Sequence, residues 1–181
     1  MKKYKKILLN PGPANTTNSV KNAQIVDDIC PRVNEFGKLL TKIRSDLTNI
    51  VANTNDYSTI ILGASGTASV ESVISSIFDK HHKLVIVNNG SYGKRMTEIA
   101  TTYGIQYYEF KSDLFKEINI SNLEDFIKKN SATHLAIVHN ETSTGLLNNL
   151  DRINPLIEKY KLISIVDAMS SFAAVPIDMI K

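Results

Sequence analysis

Leu162-Ile163-Ser164-Ile165-Val166-Asp167 is a short run, rich in branched apolar side chains, that ends on a carboxylate. A run of this length bounded by turn residues predicts a β-strand. Asp167 then stands at the carboxyl end of that strand. Open parallel sheets bind their ligands beyond the carboxyl ends of their strands, so Asp167 is expected to present one charge on that rim. The competing reading is an N-cap or loop carboxylate that serves only the backbone. The sequence runs on from Asp167 only as far as Lys181, which leads to the expectation that the rest of the site lies outside these residues.

Outward from this strand, β-rich runs alternate with segments of helical period. Glu35 to Asn53 places Phe36, Leu39, Leu40, Ile43, Leu47, Ile50 and Val51 at three- and four-residue spacing, one apolar helix face. Thr59-Ile60-Ile61-Leu62 predicts a strand. A helix with Val70, Val73, Ile74, Ile77 and Phe78 on one side follows, and then the strand Lys83-Leu84-Val85-Ile86-Val87. Tyr92 to Tyr103 predicts a helix ended by Gly104, and Ile105 to Phe110 a strand. Ser121-Asn122-Leu123-Glu124 has the form of a capping box opening the next helix. His134 to His139 predicts a strand, and Asp151 to Tyr160 a helix in which Pro155 is tolerable only near the first turn. The expected class is α/β, a mainly parallel sheet with helices on both faces.

Composition narrows the partners. A chain of 181 residues, 43% hydrophobic and 22% charged with a net charge of +3, is that of an ordinary soluble globular protein, long enough to bury a core, and neither acidic nor basic enough to imply nucleic acid. Met1-Lys2-Lys3-Tyr4-Lys5-Lys6 precedes only the three apolar residues Ile7-Leu8-Leu9 before Asn10-Pro11-Gly12-Pro13 interrupts them. It is read as a solvated end, not a signal peptide, and no window is apolar enough for a membrane span. The lone cysteine, Cys30, forms no internal disulfide and fits a reducing cytoplasm. His81, His82, His134 and His139 show no metal-ligand spacing.

The residues able to do chemistry collect at turns that follow strand ends. These are Gly63-Ala64-Ser65-Gly66-Thr67, Asn89-Gly90-Ser91-Tyr92-Gly93, Asn140-Glu141-Thr142-Ser143-Thr144-Gly145 and Asp167-Ala168-Met169-Ser170-Ser171. The first leads into a helix, where free N–H groups, the positive end of the helix dipole and small side chains favour a phosphate. It lacks the Gly-Lys-Ser/Thr ending of a P-loop and does not match Gly-x-Gly-x-x-Gly, so ATP and dinucleotides lose support. A plain β-to-α turn remains the alternative.

Taken together, Gly63 to Glu71, Asn89 to Met96, His139 to Gly145 and Ile165 to Phe172 resemble the class V aminotransferases, fold-type I enzymes that use pyridoxal 5'-phosphate (PLP). Within that family the wording is closest to members that move an amino group from 2-aminoethylphosphonate to pyruvate, with those acting on alanine or serine and glyoxylate next. Cysteine desulfurases fit less well, since they usually place a histidine where this chain has Tyr92. The resemblance begins at Leu8-Leu9-Asn10-Pro11-Gly12-Pro13 and runs to the last residues. It covers about the first half of such an enzyme, an N-terminal segment plus most of the PLP-binding large domain.

The resemblance implies roles by motif. Ser65, Gly66 and Thr67 would hold the cofactor phosphate, and Tyr92 would stack on the pyridine ring. Thr142 would hydrogen-bond the ring hydroxyl, while Met169 would pack on the ring face opposite Tyr92. Asp167 would pair with the pyridine nitrogen and keep it protonated, as an electron sink requires. Asn10, Pro11 and Gly12 would line the substrate end. The lysine that forms the Schiff base follows the aspartate in a Ser-x-x-Lys-like context in this family. Lys181 matches no part of that context, so the lysine, the small C-terminal domain and a substrate-gripping arginine are expected outside the chain. Arg32, Arg44, Arg95 and Arg152 receive no such role. Substrates would be an amino donor and a 2-oxo acid, in a homodimer. The chain by itself is expected to be inactive, and to associate through strand edges that the missing strands would cover. A non-catalytic PLP-fold fragment or interaction module is the other reading.

Overall fold

The computed structural model describes residues 6–179. The lysine-rich start, Met1 to Lys5, and Lys181 lie outside them. The described residues form two compact units, one drawn from residues 6–61 together with 176–179, the other from Leu62–Val175.

In the first unit, α1 (Asn18–Asn22) is capped by Thr17, whose side chain accepts from Val20 N, and α2 (Asn34–Thr48) carries the apolar spacing read from the sequence. That periodicity continues to Val51, but the helix stops at Thr48 with Asn49 as its C-cap. Thr48 is the only buried residue of α2; its hydroxyl donates to Arg44 O at 2.9 Å and meets Thr59 Oγ1 at 2.8 Å. Leu39 and Ile43 on the apolar face are 46% and 40% exposed. Residues 176–179 join this unit through the hydrogen bonds Met179 N to Val51 O and Tyr57 Oη to Met179 O, at 2.9 and 2.7 Å.

The expected strand Thr59-Ile60-Ile61-Leu62 does not form. A strand is defined by a neighbouring backbone that takes its N–H and C=O groups, and β-branched side chains do not supply one. Here the Thr59 carbonyl is taken by Arg44 Nε at 2.6 Å, and Ile60 is 80% exposed.

The second unit holds the sheet. β1 (Leu84–Asn88), β2 (Tyr107–Lys111), β3 (His134–Val138) and β6 (Ile163–Asp167) lie in the order β2-β1-β3-β6, and every pair is parallel. β4 (Asn140–Glu141) and β5 (Leu146–Leu147) form a small antiparallel pair after β3. The helices α3 (Gly66–Ser76), α4 (Ser91–Thr102), α5 (Ile120–Asn130) and α6 (Leu150–Tyr160) cover both faces of the sheet.

The two faces follow from strand alternation. Val85, Val87, Leu135 and Ile137 point into one core with Leu123 and Ile127 of α5 and Ile153 and Leu156 of α6. Leu84, Ile86, Ala136, Val138 and Ile165 point into the other with Ile74 of α3 and Met96, Ile99 and Ala100 of α4. A strand buried on both faces reads as a continuous apolar run, which is why β1 and β3 are legible at once. Each fully buried Leu, Ile or Val contributes about 1.5–3 kcal/mol.

Two local expectations shift. The cap of α5 is Asn119, whose side chain accepts from Asn122 N at 3.0 Å, two residues before the Ser121 of the apparent capping box. Asn119 reaches a free N–H of the first turn, so the helix starts ahead of Ser121. Pro155 stands in the second turn of α6, not the first. It withholds the N–H that would reach the carbonyl of Asp151, and α6 continues around it to Tyr160.

Candidate functional site

The carboxyl ends of β1, β3 and β6 lie side by side, because β1 pairs with β3 and β3 with β6 in parallel register. Asp167 closes β6 opposite Val138, and His139 N donates to Asp167 O at 2.8 Å. The half-buried Asp167 carboxylate accepts from Met169 N through Oδ1 at 3.0 Å. This bond turns the chain sharply and brings Met169 toward α3. A Cβ built on Gly66 would lie 2.6 Å from Met169 Sδ, so a side chain there would have to push the exposed Met169 thioether aside.

At the N-terminus of α3 the Ser65 side chain accepts from Ala68 N at 3.3 Å. Gly66 N and Thr67 N have no hydrogen-bond partner among the described residues. Thr67 Oγ1 accepts from Arg95 Nη1 at 3.2 Å, and the Arg95 guanidinium carbon lies 5.5 Å from the centre of the Tyr92 ring. Thr67, Val70, Tyr92, Arg95, Met96, Ile99 and Asp167 line one small open cleft. Three residues singled out in the sequence therefore meet in one place: Thr67 from α3, Tyr92 from α4 and Asp167 from β6. Among the described residues no lysine lines the cleft.

The N-terminus of α4 is built differently. Glu141 is fully buried, and its Oε2 accepts from both Tyr92 N and Gly93 N at 3.1 Å. Its Oε1 accepts from the hydroxyl of Ser143 at 2.5 Å, and the Ser143 oxygen accepts in turn from Ser91 N at 2.9 Å. The first three N–H groups of α4 are thereby satisfied from within, by a carboxylate that also answers the helix dipole. The free anion-binding donors of this rim belong to α3. Thr142, next to the clamp, is half-buried and its hydroxyl has no partner among the described residues.

Below the rim, Asn89 Nδ2 donates to Asn148 Oδ1 at 2.8 Å, and Asn148 Nδ2 donates to Val138 O at 2.7 Å. His139 is buried beside them, and that burial pushes its pKa down. Its Nδ1 and Asn89 Oδ1 are buried without partners.

Asn10, Pro11 and Gly12 belong to the first unit, where all three are exposed and Asn10 Nδ2 donates to Gly12 O at 2.9 Å. Arg95 and Glu141 of the rim were quoted in motifs but received no role from the sequence. For Glu141 the reason is separation. Its helical partner Gly93 lies 48 positions away, so no local spacing reports the contact.

Residues 17–181 match the family described as aminotransferase class-V. The chain belongs to the class-V aminotransferase family. It is 39% identical over 181 residues to a 2-aminoethylphosphonate–pyruvate transaminase of Bacillus cytotoxicus, a match that takes in 99% of this chain and 49% of that protein. It is 38% identical over 175 residues to a bifunctional phosphonoacetaldehyde hydrolase/aminoethylphosphonate transaminase of Clostridioides difficile, covering 96% of this chain and 27% of that one. An alanine–glyoxylate aminotransferase from Nostoc sp. superposes with a TM-score of 0.85 at 27% identity, over 98% of this chain and 47% of that one. The chain thus spans about half the length, or less, of these relatives. Among the described residues no helix is long and apolar enough to cross a membrane, and no group of three His, Cys, Asp or Glu could hold a metal.

Proposed function

We propose that this chain supplies the cofactor-holding part of a PLP-dependent transaminase that moves an amino group from 2-aminoethylphosphonate to pyruvate, giving phosphonoacetaldehyde and alanine. The observation that carries this is the cleft in which Thr67, Tyr92 and Asp167 meet, joined to the 39% identity with the Bacillus cytotoxicus protein. The alternative substrates, alanine or serine with glyoxylate, have the weaker support of 27% identity to the Nostoc structure.

The residues present fit PLP. Gly66 N and Thr67 N are unpaired donors at the positive end of α3, and Ser65 and Thr67 add hydroxyls, a donor set suited to a phosphate. Tyr92 offers an aromatic face at the cleft, 39% exposed, for stacking on a ring. Asp167 offers a carboxylate to a ring nitrogen, Thr142 a hydroxyl to a ring oxygen, and Met169 an apolar side chain for the opposite ring face. When bound, the cofactor supplies an electron sink for the carbon that loses a proton during amino transfer. The task of Asp167 is electrostatic, holding a proton on the nitrogen it faces by favouring the charged form of that nitrogen. Ser65, Gly66 and Thr67 fix position, and Tyr92 and Met169 exclude water from the ring faces. Asn10, Pro11 and Gly12 are proposed for the substrate end.

The substrates would be the amino donor and a 2-oxo acid. A second copy of the chain is the proposed partner, supported by the exposed Leu39 and Ile43 on the apolar face of α2. The cytoplasm is the proposed location, supported by a single exposed thiol, Cys30. Because no lysine among the described residues lines the cleft, the chain alone is expected to bind PLP reversibly and without turnover. Absorbance titration of the chain with PLP tests this. Saturable binding that weakens about tenfold in Tyr92→Ala, with no alanine formed from 2-aminoethylphosphonate and pyruvate, is the expected result. Absence of saturable binding would overturn the reading. Steady alanine formation would overturn the expectation that the chain alone is inactive.

A further inference from the structure

We infer that Glu141 is a positioning residue for the cofactor site, a buried carboxylate that sets where the Tyr92 ring and the Thr142 hydroxyl stand. The inference rests on the reading of the cleft as a PLP site. Four observations carry it. Glu141 is fully buried, and its charge is compensated by backbone N–H groups and one hydroxyl. Two of those N–H groups belong to Tyr92 itself and to Gly93, the residue after it. Glu141 is also the residue immediately before Thr142, and the turn closes on it again, since Gly145 N and Thr144 N donate to Glu141 O at 2.8 and 3.1 Å. Finally, Gly90 leaves the space the carboxylate occupies, because a Cβ there would collide with Cγ and Cδ of Glu141 and approach Ser143 Oγ.

One side chain thus fastens two ligand-bearing segments that come from different parts of the sequence, the start of α4 and the β4–β5 turn. The geometry of a carboxylate matters here. Each of its oxygens only accepts, and each faces only donors: Tyr92 N and Gly93 N on one side, Ser143 N at 3.3 Å and the Ser143 hydroxyl on the other. An amide reproduces this only in part: turned toward Ser143 its NH₂ could donate to the hydroxyl oxygen but would still confront Ser143 N, and turned the other way it would meet only the donors Tyr92 N and Gly93 N. Ser143 extends the clamp by one link to Ser91 N. Because the carboxylate fills the donors of α4, it also leaves α3 as the rim's open anion site, so the same residue that orients Tyr92 keeps the phosphate from binding in the wrong place.

The test is the PLP affinity of the whole 181-residue chain in four forms: wild type, Glu141→Gln, Tyr92→Ala and the double variant, with Ser143→Ala as a milder probe at an exposed position. Glu141→Gln is expected to weaken binding about tenfold while keeping the wild-type far-ultraviolet circular dichroism. Tyr92→Ala, worth about tenfold in the wild type, is expected to cost only about twofold in the Glu141→Gln background, because a ring already displaced contributes less. Ser143→Ala is expected to weaken binding about threefold with an unchanged melt. A folded Glu141→Gln that binds as the wild type does would overturn the positioning role. So would independent, multiplying effects of the two substitutions, the signature of a merely structural group. Should Glu141→Gln not fold, wild-type affinity in Ser143→Ala overturns the role and weakened affinity supports it. Failure of the wild type itself to bind PLP would instead remove the site reading on which the inference stands.

Discussion

Gly90 and Glu141 share a space that leaves no room for a side chain at position 90. Gly90→Ala must push the buried carboxylate off its four donors or displace the start of α4, and overpacking of this kind costs about 1–3 kcal/mol. The expected result is a lower denaturant midpoint with an unchanged slope. His134 makes a different residue-scale prediction. It is buried, its Nδ1 lies 2.8 Å from Thr133 Oγ1, and its ring packs against Phe78 and His82 at 4.6 and 4.7 Å. Burial lowers its pKa below the ordinary 6.5, the neighbouring His82 lowers it further, and Asp79 opposes them. Burial lowers that of His139 as well. As pH falls below 6.5 the unfolded chain takes up protons that the folded chain still refuses, so stability is retained above that pH and lost below it. Melting temperature is therefore expected to fall on acidification from about pH 7 to about pH 5, and His134→Gln to flatten the dependence. An equally steep fall in that variant would assign the effect to other groups.

Elements differ in how much of themselves the sequence discloses. β1 and β3 are legible because each carries its own signal, a continuous apolar run that only a doubly covered strand explains, and β6 is read from a similar run although only Ile165 of it is buried. The helices α3 to α6 are legible for the same reason, through apolar spacing that closes on one face. The segment Thr59-Ile60-Ile61-Leu62 carries an equally good local signal and is no strand, since a strand depends on a partner that its own residues do not encode. Caps fall between these cases. Ser121 and Asn119 both offer suitable side chains, and the three-dimensional path selects Asn119. Asn119→Ala is expected to cost about 1 kcal/mol, read as a lower melting temperature, whereas Ser121→Ala should change little. At the site, Tyr92 and Asp167 stand at the ends of strands as read, whereas the strand expected before Ser65 and Thr67 is absent and only the helix start that follows them was legible. The Glu141 clamp was not, because its two ends are joined only by the fold.

The whole molecule presents its sheet with β6 at one edge, paired on one side to β3. Ile163 and Val166 on that strand are 56% and 37% exposed. An apolar strand with unpaired backbone groups is a template for another chain. We expect the 181-residue protein to self-associate, and Ile163→Lys to reduce the light scattered at a given concentration without lowering the melting temperature. Scattering unchanged by the charge would move the association to another surface, such as the apolar face of α2 with Leu39 and Ile43. The central claim is that the rim formed by α3, α4, the β4–β5 turn and the end of β6 holds PLP. Its most direct test is a titration of the ¹⁵N-labelled chain with PLP, followed by amide resonances. The account predicts that Gly66, Thr67, Tyr92, Thr142 and Met169 shift together with one common midpoint. Unmoved amides at Gly66 and Thr67, or shifts confined to residues away from the rim, would contradict it.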